Sequence, residues 1–240
     1  MRRVHLHLRR SRRTEKTLNR TPRKLFDHLF RVLGPQGWWP GEGPLEIAIG
    51  AILTQNTNWK NVERAIQNLK AEGLLDLERL LRIPQERLET LIRPAGYFRV
   101  KARRLRSFLR WLQAQGGFEP LQRRPLSEVR DAFLQVEGIG PETADSILLY
   151  ALGRPVFVID AYTRRILNRH GIEPGKTYED YRRWFESQLP RDPQLFNEFH
   201  ALLVEIGKRY CRRNPLCDRC PVKEVWGPPT GLENPVTKGR

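Results

Sequence analysis

Residues 131–153, DAFLQVEGIGPETADSILLYALG, join two helical patterns through a short turn that contains Gly138 and Gly140. Glycine permits a tight turn because it has no Cβ to clash, and Pro141 suits the first position of the second helix. The free N–H groups at such a helix start can bind a phosphate without reading a base. The stretch predicts a helix-hairpin-helix that binds a nucleic-acid backbone. The alternative is a generic αα-hairpin whose glycines serve packing.

The rest of the chain also shows helical periodicity. Apolar residues recur at helical spacing in residues 59–69, 105–112 and 195–206, which is typical of amphipathic helices on a core. Only the run PVFVI at residues 155–159 resembles a strand, and one short run cannot form a sheet. We therefore predict an all-α protein in which residues 155–159 form a buried connector.

The composition is strongly basic. The chain has 240 residues, with 43 Lys and Arg against 27 Asp and Glu, and its formal net charge of +16 favours a polyanionic partner. The hydrophobic content of 39% excludes a wholly disordered chain, and no apolar run approaches the roughly 18–20 residues of a membrane span. Residues 1–20 are predicted to be a flexible basic tail, which either adds non-specific nucleic-acid affinity or only increases solubility.

A longer stretch, GIGPETADSILLYALGRPVFVIDAYTRRILNRHG at residues 138–171, resembles the helix-hairpin-helix DNA glycosylases of the endonuclease III superfamily. Further similarity lies in GAILTQNTNWKNVERAI (50–66), RPAGYFRVKARRL (93–105) and the C-terminal cysteines. The Trp38-Trp39-Pro40 segment, the QNTNW run and the GIGPETAD hairpin most resemble the 3-methyladenine branch of that superfamily.

The resemblance implies an endonuclease III-like fold of two helical lobes. We expect one lobe from residues 44–153, ending in the hairpin, and a second lobe from residues 21–43 plus 154–225, which contains the cysteines. Residues 226–240 are expected to form a C-terminal tail. The bound DNA is expected to lie across the cleft between the lobes, beside Asp160.

Asp160 is the candidate catalytic residue. Glycosylases of this kind flip a nucleotide out of the duplex and break its bond from sugar to base through an oxocarbenium-like transition state. The resemblance implies that the Asp160 carboxylate stabilises this cation and orients the attacking water. From the residues alone, Asp160 could equally be the N-cap of a helix that begins at Ala161, and the two roles are compatible.

Bifunctional members of the family also have a Lys two residues after the second turn glycine, and its amine forms a Schiff base that leads to strand cleavage. Glu142 occupies that position here. A carboxylate cannot form a Schiff base, so we predict base hydrolysis without lyase activity. Lys101 and Lys208 are the alternatives that could supply an amine.

The resemblance also suggests which residues contact the substrate. Electron-rich rings hold cationic alkylated bases well, and the candidate base pocket consists of Trp38, Trp39, Pro40 and Trp59, with core packing as the alternative. Gln55 matches the family position that fills the gap left by the flipped base, and Asn56 lies beside it; both could instead be turn residues. Other predicted DNA contacts are Gly138, Ile139, Gly140, Glu142, Thr143 and Arg164. Basic residues near 101–106 and 208–213 are either phosphate contacts or an ordinary solvated surface.

Cys211, Cys217 and Cys220 are spaced C-x5-C-x2-C. The family's similar cluster continues to a fourth Cys and holds a [4Fe–4S] centre, but Trp226 stands at that position here. Three outcomes stay open: an iron–sulfur cluster with a non-Cys ligand, a Zn²⁺ completed by a His such as His200, or free thiols.

The expected function is a monofunctional DNA glycosylase in base-excision repair, with an alkylated purine such as 3-methyladenine as substrate. The alternatives are an endonuclease III-like glycosylase for oxidised pyrimidines with weak or no lyase activity, and a non-catalytic protein that binds DNA structure. The expected partner is double-stranded DNA with a damaged base. We expect a monomer in the bacterial cytosol, without a membrane partner.

Overall fold

The computed structural model describes residues 20–230, and the regular elements of that range are all helical, which confirms the predicted fold class. The 3₁₀ turns are Arg93–Ala95 and Cys217–Arg219, and a π-helical turn at Ile147–Ala151 continues the helix Pro141–Ser146. The α-helices, in chain order, are α1 Pro22–Leu33, α2 Pro44–Leu53, α3 Trp59–Ala71, α4 Leu77–Arg82, α5 Gln85–Leu91, α6 Phe98–Ala114, α7 Phe118–Arg123, α8 Leu126–Leu134, α9 Pro141–Ser146, α10 Ala161–Arg169, α11 Tyr178–Glu186, α12 Pro193–Arg209 and α13 Val222–Trp226.

The chain separates into two compact units. The central unit spans Trp39–Val158, and the terminal unit combines the described residues up to Trp38 with those from Ile159 to residue 230. The predicted lobe boundaries at residues 44 and 153 lie a few residues inside these limits. Residues 1–19 of the predicted basic tail and residues 231–240 of the predicted C-terminal tail lie outside the described residues.

The run at residues 155–159 is extended and buried. Val156 and Phe157 are 0% exposed, and Val158 and Ile159 are 1% exposed. This confirms the prediction of a buried connector. None of the helices between residues 20 and 230 is long and apolar enough to cross a bilayer.

A buried lysine ties three parts of the central unit together. Lys101 on α6 is 2% exposed, and its Nζ donates hydrogen bonds to the carbonyl groups of Leu53 (2.8 Å) and Ala95 (2.7 Å). Burial lowers the pKa of this amine to about 8, so at neutral pH it remains mostly a cation facing two carbonyl dipoles. The prediction of Lys101 as a phosphate contact or a lyase amine is therefore wrong, because both roles need an accessible amine.

Arginine side chains of the central unit also bind carbonyl groups. Arg106 is 8% exposed and donates to the carbonyl groups of Leu80, Leu81 and Ile83, near the end of α4. Helix C-termini leave carbonyl groups without intrahelical partners, and a guanidinium satisfies several of them at once. The prediction of Arg106 as a phosphate contact is accordingly wrong.

The terminal unit is organised by the packing of α10 on α12. A Cβ at Gly207 would lie 2.6 Å from the Cβ of Tyr162, so only glycine allows this approach of the two helices. Arg165 then donates to the carbonyl groups of Cys211 (2.7 Å) and Gly207 (3.2 Å). Trp226, with which the predicted C-terminal tail begins, ends α13 and is 2% exposed.

We predict that Lys101→Met lowers the free energy of unfolding by about 2–4 kcal/mol, because two buried carbonyl groups lose their donor. Chemical denaturation of the full chain measures this loss. Lys60→Met, at an exposed position of α3, is the matched control and should change the stability by less than about 0.5 kcal/mol. Equal stabilities of the two variants would contradict the assigned role of Lys101.

Candidate active site and nucleic-acid interface

Asp160 is the N-cap of α10. Its Oδ1 accepts a hydrogen bond from the backbone N–H of Thr163 at 2.7 Å, as the N-cap alternative predicted. Its side chain is 14% exposed, and its Oδ2 makes no hydrogen bond to any residue between 20 and 230. The cap therefore fixes one carboxylate oxygen and leaves the other available to a ligand.

The backbone on both sides of Asp160 is held. The N–H of Ile159 donates to the hydroxyl group of Tyr178 at 3.2 Å, and Thr163 is 0% exposed. The positive end of the α10 dipole also favours a negative charge at Asp160. These contacts fix the backbone around Asp160 at the end of the buried connector.

His200 lies next to this carboxylate, a neighbour that the sequence reasoning missed. His200 is on α12, its side chain is 6% exposed, and its Nε2 is 3.8 Å from Oδ1 of Asp160. Burial lowers the pKa of His200, with Asp160 raising and Lys208 lowering it, so the contact is not an ion pair at neutral pH. Forty residues separate the two in sequence, and only the packing of α10 on α12 brings them together.

Two of the predicted pocket tryptophans form an aromatic cluster in the central unit. Trp39 meets Trp59 edge to face, with ring centroids 5.1 Å apart at 86°, and lies 4.9 Å from the ring of Tyr150. A Cβ at Gly50 would lie 3.4 Å from the Trp39 ring and 3.5 Å from the Trp59 ring, so the small residue leaves room for both. Tyr150, on the π-helical turn, was not predicted.

The other predicted pocket residues are placed differently. Trp38 belongs to the terminal unit, where the ammonium group of Lys208 lies 5.2 Å from its ring centroid. This cation–π contact occupies one face of the ring. Pro40 is exposed. Trp38 and Trp39 are thus adjacent in sequence and assigned to different units.

The hairpin turn is hydrogen-bonded to the loop that follows α2. Gly138 has φ +83°, and a Cβ there would lie 2.1 Å from Cγ of Arg104. Gln55 donates to the carbonyl group of Gly138 (3.0 Å) and to the hydroxyl group of Thr143 (2.9 Å), while Arg104 donates to the Gln55 side-chain carbonyl group. Asn56, the next residue, is exposed and has φ +55°. The amide of Gln55 thus supports the hairpin, and Asn56 is the residue presented outward.

The two hairpin helices are joined by a buried ion pair. Arg130 on α8 donates to both carboxylate oxygens of Asp145 on α9, at 2.6 and 3.1 Å, and Asp145 is 0% exposed. Bidentate pairs of this kind fix geometry strongly. Among the remaining predicted DNA contacts, Gly140 and Glu142 are exposed, Ile139 and Thr143 are buried, and Arg164 stacks 4.7 Å from the ring centroid of Tyr181.

Tyr97 is an exposed aromatic residue that the sequence reasoning did not single out. It is 72% exposed, has φ +47°, and precedes α6. The guanidinium groups of Arg93 and Arg99 lie 5.0 and 5.6 Å from the ring of the adjacent Phe98. An exposed ring among cations is typical of surfaces that stack on nucleic-acid bases. In the sequence, the feature that could have indicated this surface is the Gly96-Tyr97 pair inside a basic segment.

All three cysteines line one cavity of the terminal unit, and His170 lines it too. Trp226, at the family's fourth ligand position, packs edge to face against His170 with ring centroids 5.8 Å apart. His200, named above as one possible completion of a zinc site, is not among the lining residues, so that alternative has no support here.

The cavity does not have the features of a metal centre. Burial, together with the neighbouring Cys211 and Cys217, raises the pKa of the Cys220 thiol to about 11, so this thiol is protonated at neutral pH in the metal-free chain. The sulfur of Cys211 already accepts a hydrogen bond from Arg169 at 3.2 Å. Within residues 20–230, no three His, Cys, Asp or Glu side chains are placed to hold one metal ion. The described residues therefore show three cysteines around one cavity without a three-ligand group, and the iron–sulfur cluster stays a prediction.

Comparison with known proteins defines the class. Residues 49–191 match the model of the HhH-GPD superfamily of base excision DNA repair proteins. A Methanocaldococcus jannaschii protein with the provisional name of a DNA repair glycosylase is 45% identical over 205 residues, which are 84% of this chain and 93% of that protein. Endonuclease III of Thermotoga maritima is 30% identical over 182 residues, 75% of this chain and 81% of that protein.

Solved structures agree in fold. The H. pylori 3-methyladenine DNA glycosylase bound to 1,N6-ethenoadenine has a TM-score of 0.71 at 27% identity, over 79% of this chain and 98% of that chain. An endonuclease III–DNA complex has a TM-score of 0.70 at 21% identity, over 85% and 92%. The chain therefore belongs to the HhH-GPD superfamily, and within it to the DNA glycosylases of base excision repair.

We predict that Gly138→Ala and Gly140→Ala differ sharply. The first variant places a Cβ at positive φ and against Arg104, so it should lose about 1–3 kcal/mol of stability and bind duplex DNA at least about 10-fold more weakly. Gly140 has φ −91° and no atom within 4 Å of an added Cβ, so its variant should keep its stability. Denaturation and salt-dependent DNA binding measure both. Equal losses of stability would contradict the assigned turn geometry.

Proposed function

We propose that this protein is a monofunctional DNA glycosylase that removes an alkylated purine, such as 3-methyladenine, from double-stranded DNA. The observation that carries the proposal is the Asp160 carboxylate, which has one oxygen fixed by the N–H of Thr163 and the other available. This is the group that a hydrolysis through a sugar cation requires.

The proposed reaction needs few groups. The bond from C1′ to the base nitrogen breaks, its electron pair leaves with the base, and positive charge develops on the sugar. The free oxygen of Asp160 stabilises this charge and accepts a proton from the water whose oxygen attacks C1′. The products are the free base and an abasic site, with the strand intact.

The aromatic cluster supports an alkylated purine as substrate. Alkylation gives the base a positive charge, and the faces of Trp39, Trp59 and Tyr150 are electron-rich. The H. pylori relative, a 3-methyladenine glycosylase, is similar over nearly its whole length. Trp38 has its ring next to the Lys208 ammonium group, so we assign the stacking role to Trp39 and Trp59 in preference to Trp38.

The hairpin and its surroundings supply the DNA contacts of the proposal. Gly140 and Glu142 are exposed at the turn, Asn56 is exposed on the loop that Gln55 fastens to it, and Tyr97 is exposed in a basic segment. In this proposal the backbone N–H groups at the hairpin turn hold a phosphate without reading the sequence, and the Tyr97 ring stacks on a base. We propose that one copy of the chain acts, on DNA in the cytosol.

The same residues argue against lyase activity. Glu142 replaces the amine of bifunctional enzymes, and Lys101 is buried on two carbonyl groups. Lys208, the other amine considered above, lies near His200, whose pKa its charge lowers. Its ammonium group lies against the ring of Trp38, which occupies it in another contact.

A second candidate is a glycosylase for oxidised pyrimidines, which the similarity to endonuclease III of Thermotoga maritima favours. Base release from duplexes with 3-methyladenine and with thymine glycol distinguishes the two substrates. A third candidate, a DNA-binding protein without catalysis, is distinguished by comparing the wild type with an Asp160 variant.

We predict that Asp160→Asn reduces the single-turnover rate of base release from methylated DNA by about 100-fold or more, because the amide cannot stabilise a cation. Asn is as good an N-cap as Asp, so folding and duplex affinity should be retained. Asp192→Asn is the matched control, because Asp192 caps α12 through the N–H of Gln194 at 2.8 Å. Wild-type protein that binds the duplex and releases no base would favour the non-catalytic alternative.

We also predict that borohydride traps no covalent adduct between the wild-type protein and an abasic-site duplex, since none of the amines considered between residues 20 and 230 is placed to form a Schiff base. Gel electrophoresis without alkali treatment detects both the trapped protein–DNA adduct and any cleaved DNA strand. A trapped adduct that disappears in Lys208→Gln would overturn the monofunctional assignment and identify the amine.

A further inference from the structure

The Asp160 carboxylate has one strong hydrogen bond, and one bond does not fix its plane. The χ2 torsion of aspartate is broad and one N–H···Oδ1 hydrogen bond tolerates a range of angles, so the carboxylate can still turn about its Cβ–Cγ bond. A rotation of this kind would move Oδ2, which the proposed mechanism directs at the sugar. A second donor to Oδ1 would narrow that range of torsion angles.

His200 is placed to make that second contact. Its Nε2 is 3.8 Å from Oδ1, so a movement of about 0.6 Å brings the pair to 3.2 Å, within ordinary hydrogen-bond distance. The imidazole approaches from α12, whereas the N–H of Thr163 belongs to α10. Two donors on two different helices would define the carboxylate plane.

The surroundings make the imidazole a rigid and neutral donor. The side chain is 6% exposed, and α12 is held against α10 by the close approach of Gly207 and Tyr162 and by Arg165. Burial and the charge of Lys208 lower the pKa of His200, against the effect of Asp160. A neutral ring can orient the carboxylate without cancelling the negative charge that the sugar cation needs.

We propose that His200 is a positioning residue for Asp160, whose Nε2–H closes on Oδ1 and directs Oδ2 at the developing sugar cation. This inference rests on the proposed glycosylase function. It assigns His200 a role in orientation, with no contact to the substrate.

The test compares two abasic-site analogues in otherwise identical duplexes: a pyrrolidine, which is cationic, and a tetrahydrofuran, which is neutral. The ratio of their dissociation constants measures how well the protein recognises positive charge at the sugar. We expect His200→Leu to reduce this ratio, and the rate of base release, by about 10-fold or more, with tetrahydrofuran affinity unchanged. His200→Gln, whose amide nitrogen reaches about as far as Nε2, should restore both.

A matched control addresses general destabilisation. His170 is also buried in the terminal unit, and burial lowers its pKa to about 4, but it lines the cysteine cavity. His170→Leu should lower the melting temperature and keep the analogue ratio. If His200→Leu does not fold, His200→Asn replaces it, because its shorter amide cannot reach Oδ1.

The outcomes separate this inference from the proposed function. A wild-type ratio in folded His200→Leu or His200→Asn would overturn the positioning role. Equal affinities for the two analogues in both the wild type and Asp160→Asn would overturn the glycosylase function itself, and the positioning role with it. A ratio lost in His200→Leu and restored in His200→Gln supports both.

Discussion

The hydrogen bond from the Thr163 backbone to Asp160 is the constraint on which the proposed chemistry depends. A helix needs an N-cap and a sugar cation needs a carboxylate, and here one side chain meets both demands with different oxygens. The buried connector at residues 155–159 leads directly into Asp160, and the packing of α10 on α12 holds the start of α10 in place. Stability of the terminal unit and geometry of the site are therefore linked.

The positive charge of the chain has two uses. Part of it is internal, because Lys101, Arg106 and Arg165 all donate to main-chain carbonyl groups, two of them from nearly buried positions. Such contacts satisfy carbonyl groups that helix ends and turns leave without partners. The remaining exposed cations are those available to a phosphate backbone. A net charge of +16 thus overstates the DNA-binding surface, although its sign agrees with the family.

Close approach at glycine recurs where elements must meet. Gly138 accommodates Arg104 under the hairpin, and Gly207 accommodates Tyr162 between α12 and α10. At each position a Cβ would lie under 3 Å from a neighbouring side chain. By contrast, a Cβ added at Gly140 would meet no atom of the described residues within 4 Å, which leaves this side of the turn open to an external group.

The sequence by itself determined the helical class, the hairpin, the buried connector and the N-cap at Asp160, because these depend on local periodicity and on residues close together in the chain. The meeting of His200 with Asp160, the Tyr150 ring beside Trp39, and the burial of Lys101 were decided only by tertiary structure. The residues in these contacts are 40 or more positions apart in sequence, except for the hydrogen bond from Lys101 to the carbonyl group of Ala95. No local pattern encodes which helix packs against which. The sequence already shows that the fourth cysteine is missing. Only the tertiary structure shows that Trp226, which stands at its position, is buried and packs against a neighbouring ring.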